Sequence, residues 1–235
     1  MPAAREYLWG GICAILAFVV WLVLTPFMAT VWICDPVCDD WSAAPLVVRT
    51  AGRLLADAGA FTYAPATDVY FDYGRFFPLF YLFSTTALLI LHRSHLRALG
   101  PAGVTPLLRW SGRLLLAGLV IAGAGDFASY TLGRYSPFLW STGFGVEFIS
   151  WLLVFPSAIA YGFAILRSGR LPSALGWGLL LSGAWIPLSL LDRWLITYIP
   201  NAQLMLLAVL CLVLGPYLLR RAGRADVAGA RAAPA

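Results

Sequence analysis

Three carboxylates stand inside apolar runs of this chain. They are Asp126, closing LLLAGLVIAGAGD (114–126); Glu147, closing STGFGVE (141–147); and Asp192, closing LLLSGAWIPLSLLD (179–192), with Arg193 directly after it. A charge at the centre of a bilayer costs at least about 2.5–3.5 kcal/mol on insertion scales, so ionisable residues at such depth face a protein interior and carry function by default. Carboxyls of this kind suit proton donation, or the coupling of transport to protons. Asp126 and Glu147 are therefore the candidate general acid and base. Tyr130 stands one turn past Asp126 and Trp151 one turn past Glu147, both as packing aromatics with a polar tip. Asp192 and Arg193 also fit a simpler role, a buried ion pair that ties helices together, and Arg134 offers the same to Asp126.

The segment CDPVCDDW (34–41) raises a second chemistry. One helical turn would bring the Cα atoms of Cys34 and Cys38 to about 6 Å, within disulfide range. A local disulfide in an oxidising compartment is the preferred reading. Metal binding lacks a histidine or a second cysteine pair nearby, and thiol exchange lacks the CxxC spacing. Cys13 and Cys211 fall inside apolar runs as small hydrophobes. The only histidines, His92 and His95 in HRSH, share one helical face; two ligands make a weak metal claim, and a basic membrane boundary is the plainer reading. No metal site and no cofactor is expected.

These groups sit in a chain of 235 residues that is 61% hydrophobic and 11% charged, with a mean hydropathy of +0.81. A soluble domain carries about a quarter charged residues, so lipid must be the solvent over most of the surface. The fold expected is an all-α, polytopic membrane bundle. All 16 basic residues are arginine, and the absence of lysine excludes Schiff-base and P-loop chemistry. The net charge of +5 reflects arginines at membrane boundaries and gives no sign of nucleic-acid binding.

Six spans are expected: 8–33, 75–91, 114–132, 138–166, 175–198 and 202–219, with residues 1–221 as one domain and 222–235 as a disordered cytoplasmic tail. The first apolar stretch exceeds the roughly 7–15 residues of a signal-peptide core and reads as a retained helix. With the N-terminus inside, eleven arginines fall on the cytoplasmic side and five (Arg49, Arg53, Arg75, Arg134, Arg193) outside. That bias places both termini in the cytoplasm of a cell, or inner, membrane. The loop 34–74 carries an amphipathic pattern, with Val47, Ala51, Leu54, Leu55 and Ala58 opposite Arg49, Arg53 and Asp57. It reads as a helix lying in the extracytoplasmic interface.

From a rise of about 1.5 Å per residue, Asp126 lies roughly 18 Å from the inner boundary, with Glu147 and Asp192 roughly 13 and 9 Å below the outer one. All three thus occupy the outer half, beside Asp72, Arg75 and Arg134, while the cytoplasmic half offers no comparable group. The leading expectation is a pocket open to the extracytoplasmic side, binding a small or amphiphilic ligand through Asp126, Glu147, Asp192, Arg193, Tyr130, Asp72, Arg75 and Arg134. One alternative is an enzyme using Asp126 and Glu147 on a lipid or isoprenoid-like substrate. The other is a non-catalytic subunit whose charges pair with a membrane-protein partner or a second copy. Glycines beside both acids, GAGD and TGFGVE, suit a close approach of helices there.

Overall fold

A computed structural model describes residues 2–33, 73–191 and 201–231 of the chain, with side chains described for 4–25, 73–191 and 201–225. Everything regular among them is helical. The helices are α1 (Pro2–Ile33), α2 (Pro78–Gly103), α3 (Pro106–Asp126), α4 (Pro137–Ser168), α5 (Ser173–Leu191) and α6 (Met205–Arg231). Asp72, Asp192, Arg193, the Cys34–Cys38 pair and the expected interfacial helix lie outside the described residues. Among the described residues Cys13 and Cys211 are free thiols.

Local chemistry sets several boundaries. Proline occupies the first position of both α3 and α4, where its missing N–H costs nothing. The Thr105 hydroxyl accepts from the Leu108 amide at 3.3 Å, and the Ser136 hydroxyl accepts from Leu139 at 3.4 Å; each caps an otherwise orphaned donor. Gly169, with φ 60°, closes α4 in the left-handed conformation that glycine adopts without strain. Gly100, with φ 64°, breaks α2 just ahead of Pro101.

The helices form a closed ring. Each packs on its neighbours in the chain, and α6 returns to pack on α1. At one end the start of α1 meets the end of α2, where Tyr7 and Ser94 hydroxyls lie 3.1 Å apart and Arg97 pairs with Glu6. At the other end, indoles of Trp21 and Trp185 donate to the carbonyls of Asn201 and Ala202, at 3.2 and 2.7 Å. The first end collects Arg5, Arg93, Arg97, Arg109, Arg113, Arg167 and Arg170, so the segregation of arginines read from the sequence is carried by this up-and-down arrangement.

Five helical segments are long and apolar enough to cross a membrane: 4–25, 106–135, 137–168, 173–191 and 202–225. The expected second span, 75–91, lies in α2, which falls short on composition because only Pro78–Leu91 precedes the polar HRSH. The tail also departs from expectation. Residues 222–231 continue α6 as helix, in keeping with their alanine and arginine content.

Between helices surrounded by lipid, close van der Waals packing replaces hydrophobic burial as the source of association, and small residues permit it. One such seam joins α3 to α4. A Cβ added at Gly125 would lie 2.6 Å from the Glu147 amide nitrogen and 2.7 Å from the Gly143 carbonyl oxygen. One at Gly143 would lie 2.5 Å from the Ser129 amide nitrogen. Both obstacles are backbone, which cannot swing aside. Gly125→Ala is therefore expected to destabilise the protein by about 1–3 kcal/mol through overpacking. Gly145→Ala, whose methyl meets nothing within 4 Å, is expected to stay within about 0.5 kcal/mol of wild type. Unfolding in mixed detergent micelles measures both; equal stability of the two variants would contradict this packing.

Candidate functional site

The glycine seam delivers the two acids to one place. Gly125 packs on the Glu147 backbone, and Asp126 is the next residue along α3. The two carboxyls lie close enough to interact electrostatically. Asp126 is 0% exposed and Glu147 4%. The Tyr81 hydroxyl, from α2, donates to Glu147 Oε1 at 2.8 Å. Both oxygens of Asp126 are buried and have no hydrogen-bond partner among the described residues. A buried polar atom left unpaired costs about 1–3 kcal/mol, and more when charged, so this arrangement is expensive.

The backbone at Asp126 is also unusual. Immediately past it, α3 widens into a π-helical segment, Phe127–Leu132, followed by a 3₁₀ turn, Gly133–Tyr135. π segments that interrupt α-helices are frequent at functional sites. Here the wider turn carries buried Ser129 and Tyr130. The Ser129 hydroxyl donates to the Gly125 carbonyl at 3.0 Å, and the Tyr130 ring stacks over Gly74, where a Cβ would fall 2.6 Å from it.

A groove lies on the flank of the ring between α2 and α3. It encloses about 280 Å³ and is lined by Tyr81, Leu82, Thr85 and Leu89 on one side and Leu119, Val120 and Gly123 on the other. Leu82 and Val120 are 58% and 59% exposed, so the groove opens sideways, onto the exposed apolar flank of the bundle. Its walls are apolar apart from threonines and Tyr81. Thr85 Oγ1 within it is buried without a partner. Tyr81 is the wall between groove and acids: its ring lines the groove, its hydroxyl is bonded to Glu147, and Trp151 leans on it with ring centroids 6.1 Å apart.

The structure thus joins Asp126 and Glu147 and sets Tyr130 beside them in the adjacent π segment. Arg75 and Arg134 are exposed and do not line this groove; the Arg75 guanidinium lies 5.0 Å from the Phe76 ring centroid. The expected opening toward the extracytoplasmic end involves Asp72, Asp192 and Arg193, which lie outside the described residues; the groove that the described residues form lies on the flank of the bundle. Tyr81 was missed in the sequence because aromatic residues are common at this level of a membrane helix. Only its distance from Glu147 distinguishes it.

The opposite half is less empty than its composition implies. His92 and His95 are buried, not a solvated boundary. His92 Nδ1 lies 3.2 Å from the Tyr161 hydroxyl of α4, and His95 Nε2 lies 2.9 Å from the Ser168 hydroxyl. Ser168 gives its own proton to the Ile165 carbonyl at 2.8 Å, so its oxygen accepts from His95 Nε2–H. His95 Nδ1 is then a bare acceptor, and it has no partner. Gly112 on α3 makes room for the His92 ring, which any side chain there would overlap. No third His, Cys, Asp or Glu joins the pair among the described residues. Sequence spacing found the pair on one face; what it could not show is that this face turns inward onto Tyr161.

In length and composition these are the helices of a multi-pass membrane protein. Compared with known families, curated proteins and solved structures, the chain matches none.

The histidines, which follow the end of the expected second span at Leu91, give a pH signature. Burial disfavours the charged imidazolium at both; Arg113 adds to this at His92, and His92 adds to it at His95, which is pushed down to about 4. The unfolded chain takes up protons near pH 6.5 while the folded chain resists, so stability falls as pH drops from about 6.5 toward 4. Thermal unfolding in detergent is expected to show a lower Tm at pH 5 than at pH 7, with a flatter dependence in His95→Gln. A Tm that rises on acidification contradicts the buried, neutral pair.

Proposed function

We propose that the chain binds a single-chain amphiphile from the membrane, its apolar tail in the groove between α2 and α3 and its polar head at Tyr81, Glu147 and Asp126. The observation that carries this reading is the continuity of the two features. An apolar groove that follows α2 from Pro78 to Leu89 has in its wall a tyrosine whose hydroxyl holds one buried carboxyl, and a second carboxyl, without a partner among the described residues, lies beside the first.

Size and lining favour this class of ligand. A drug-sized molecule occupies a pocket of about 300–1,000 Å³, and the groove, at about 280 Å³, fits a slender tail better than a ring system. From Tyr81 to Leu89 the groove follows α2 for about 12 Å at 1.5 Å per residue, along the membrane normal, as a lipid tail lies. The head reaches the acids when Tyr81 releases Glu147, and the Asp126 carboxyl gains the partner it otherwise lacks. With both termini cytoplasmic, the acid end of the groove faces the extracytoplasmic leaflet.

The test is native mass spectrometry of the protein released from mild detergent. A bound amphiphile is expected on the wild type. Val120→Trp, which fills the mouth of the groove from an exposed position, is expected to lose it at least about tenfold while keeping wild-type stability. Retention unchanged in Val120→Trp would contradict the groove as the binding site.

A further inference from the structure

The chemistry of the acid pair says which head group the groove would select. We infer that the ligand's head is an amine, carried as an ammonium on its single tail; this rests on the groove reading above.

Donor count is the first argument. Asp126 presents two carboxyl oxygens, both buried and without partners among the described residues, and Glu147 beside it takes a bond from Tyr81 on Oε1, so more than one acceptor awaits a donor. A primary ammonium has three donors on one small nitrogen, as the lysine side chain does. A hydroxyl has one donor and leaves acceptors unpaired, at a cost of about 1–3 kcal/mol for each buried group.

Charge is the second. Two buried carboxyls side by side cannot both stay ionised without a cation, and an ammonium between them supplies it. A phosphate or carboxylate head brings a further negative charge instead and is disfavoured. Arg75 and Arg134, the described cations at that end of the bundle, are exposed, and Asp126 is partnered by neither. Hydrogen bonds from ammonium to carboxylate are charge-assisted and about twice as strong as neutral ones.

Reach is the third. Gly123 lines the groove and Asp126 follows it by three residues, on the same face of α3 and about 4.5 Å along it. Gly123 packs directly on Tyr81, where a Cβ would lie 2.8 Å from the tyrosine Cβ. The tail's last methylene at Gly123 thus sets the nitrogen at the level of the carboxyls once the Tyr81 ring turns aside.

The experiment offers the purified protein in nanodiscs three probes with the same tail: dodecylamine, dodecanol and dodecanoate. Binding is read by native mass spectrometry at neutral pH, where an alkylamine is charged. Dodecylamine is expected to bind at least about tenfold tighter than dodecanol, and dodecanoate weakest. Asp126→Asn is expected to bring the amine down to the level of the alcohol, and Glu147→Gln serves if that variant fails to fold. Should dodecanol or dodecanoate bind as tightly as the amine, with all three still lost in Val120→Trp, the head-group inference is overturned and the groove stands. Should Val120→Trp leave every probe bound, the groove reading itself fails.

Discussion

The close approach of α3 and α4 at Gly125 and Gly143 is the contact on which the rest of the interior depends. It lets two backbones touch where any side chain would hold them apart, and so fixes where the next residue, Asp126, must lie. With α3 pinned in this way, its carboxyl is buried against α4 at the level of Glu147. The π-helical turn that follows carries Ser129 and Tyr130 inward in turn. A wider spacing would admit solvent or lipid between the acids and leave neither in need of a partner. A ring of helices around lipid-facing leucines is easily built; a ring that seals two carboxyls inside requires this seam.

Sealing the acids is costly, and the structure meets only part of that cost. Tyr81 satisfies one oxygen of Glu147. Asp126 receives nothing comparable, although serines and tyrosines stand within a turn of it. A purely architectural pair would be better served by an arginine or a second tyrosine, residues this chain has in supply. On the proposed reading the uncompensated carboxyl is one half of a recognition site whose other half arrives from outside, and the apolar groove lined by Tyr81 would be its route of entry. The His92–His95–Tyr161 cluster at the arginine-rich end shows the same device in weaker form: imidazoles turned inward over a glycine, with one nitrogen on each ring lacking a partner among the described residues.

Much of this was legible before any coordinates. An excess of apolar residues announced an all-helical chain of long apolar helices, although the expected spans missed several helix ends, with 114–132 standing where the helix runs Pro106–Asp126. The glycines beside Asp126 and Glu147 foretold a tight contact. What the residues could not show was which face of each helix turns inward. That ambiguity hid Tyr81, whose neighbours in the chain are equally aromatic. It also left unread that His92 and His95, taken as part of a basic boundary, turn inward. Membrane helices are apolar all round, so amphipathic patterning, the usual guide to orientation, is nearly silent here; Tyr81→Glu147 is a contact between residues 66 apart.

The most direct test of the shared site is a double-mutant cycle on the acids themselves. Asp126→Asn, Glu147→Gln and the double variant are compared with wild type by unfolding in mixed micelles. One site holding both carboxyls requires that the two substitutions be non-additive, with a coupling energy of about 0.5–3 kcal/mol. Additivity to within about 0.5 kcal/mol would mean that each acid sits alone in its helix, and the account of the α3–α4 seam would be wrong.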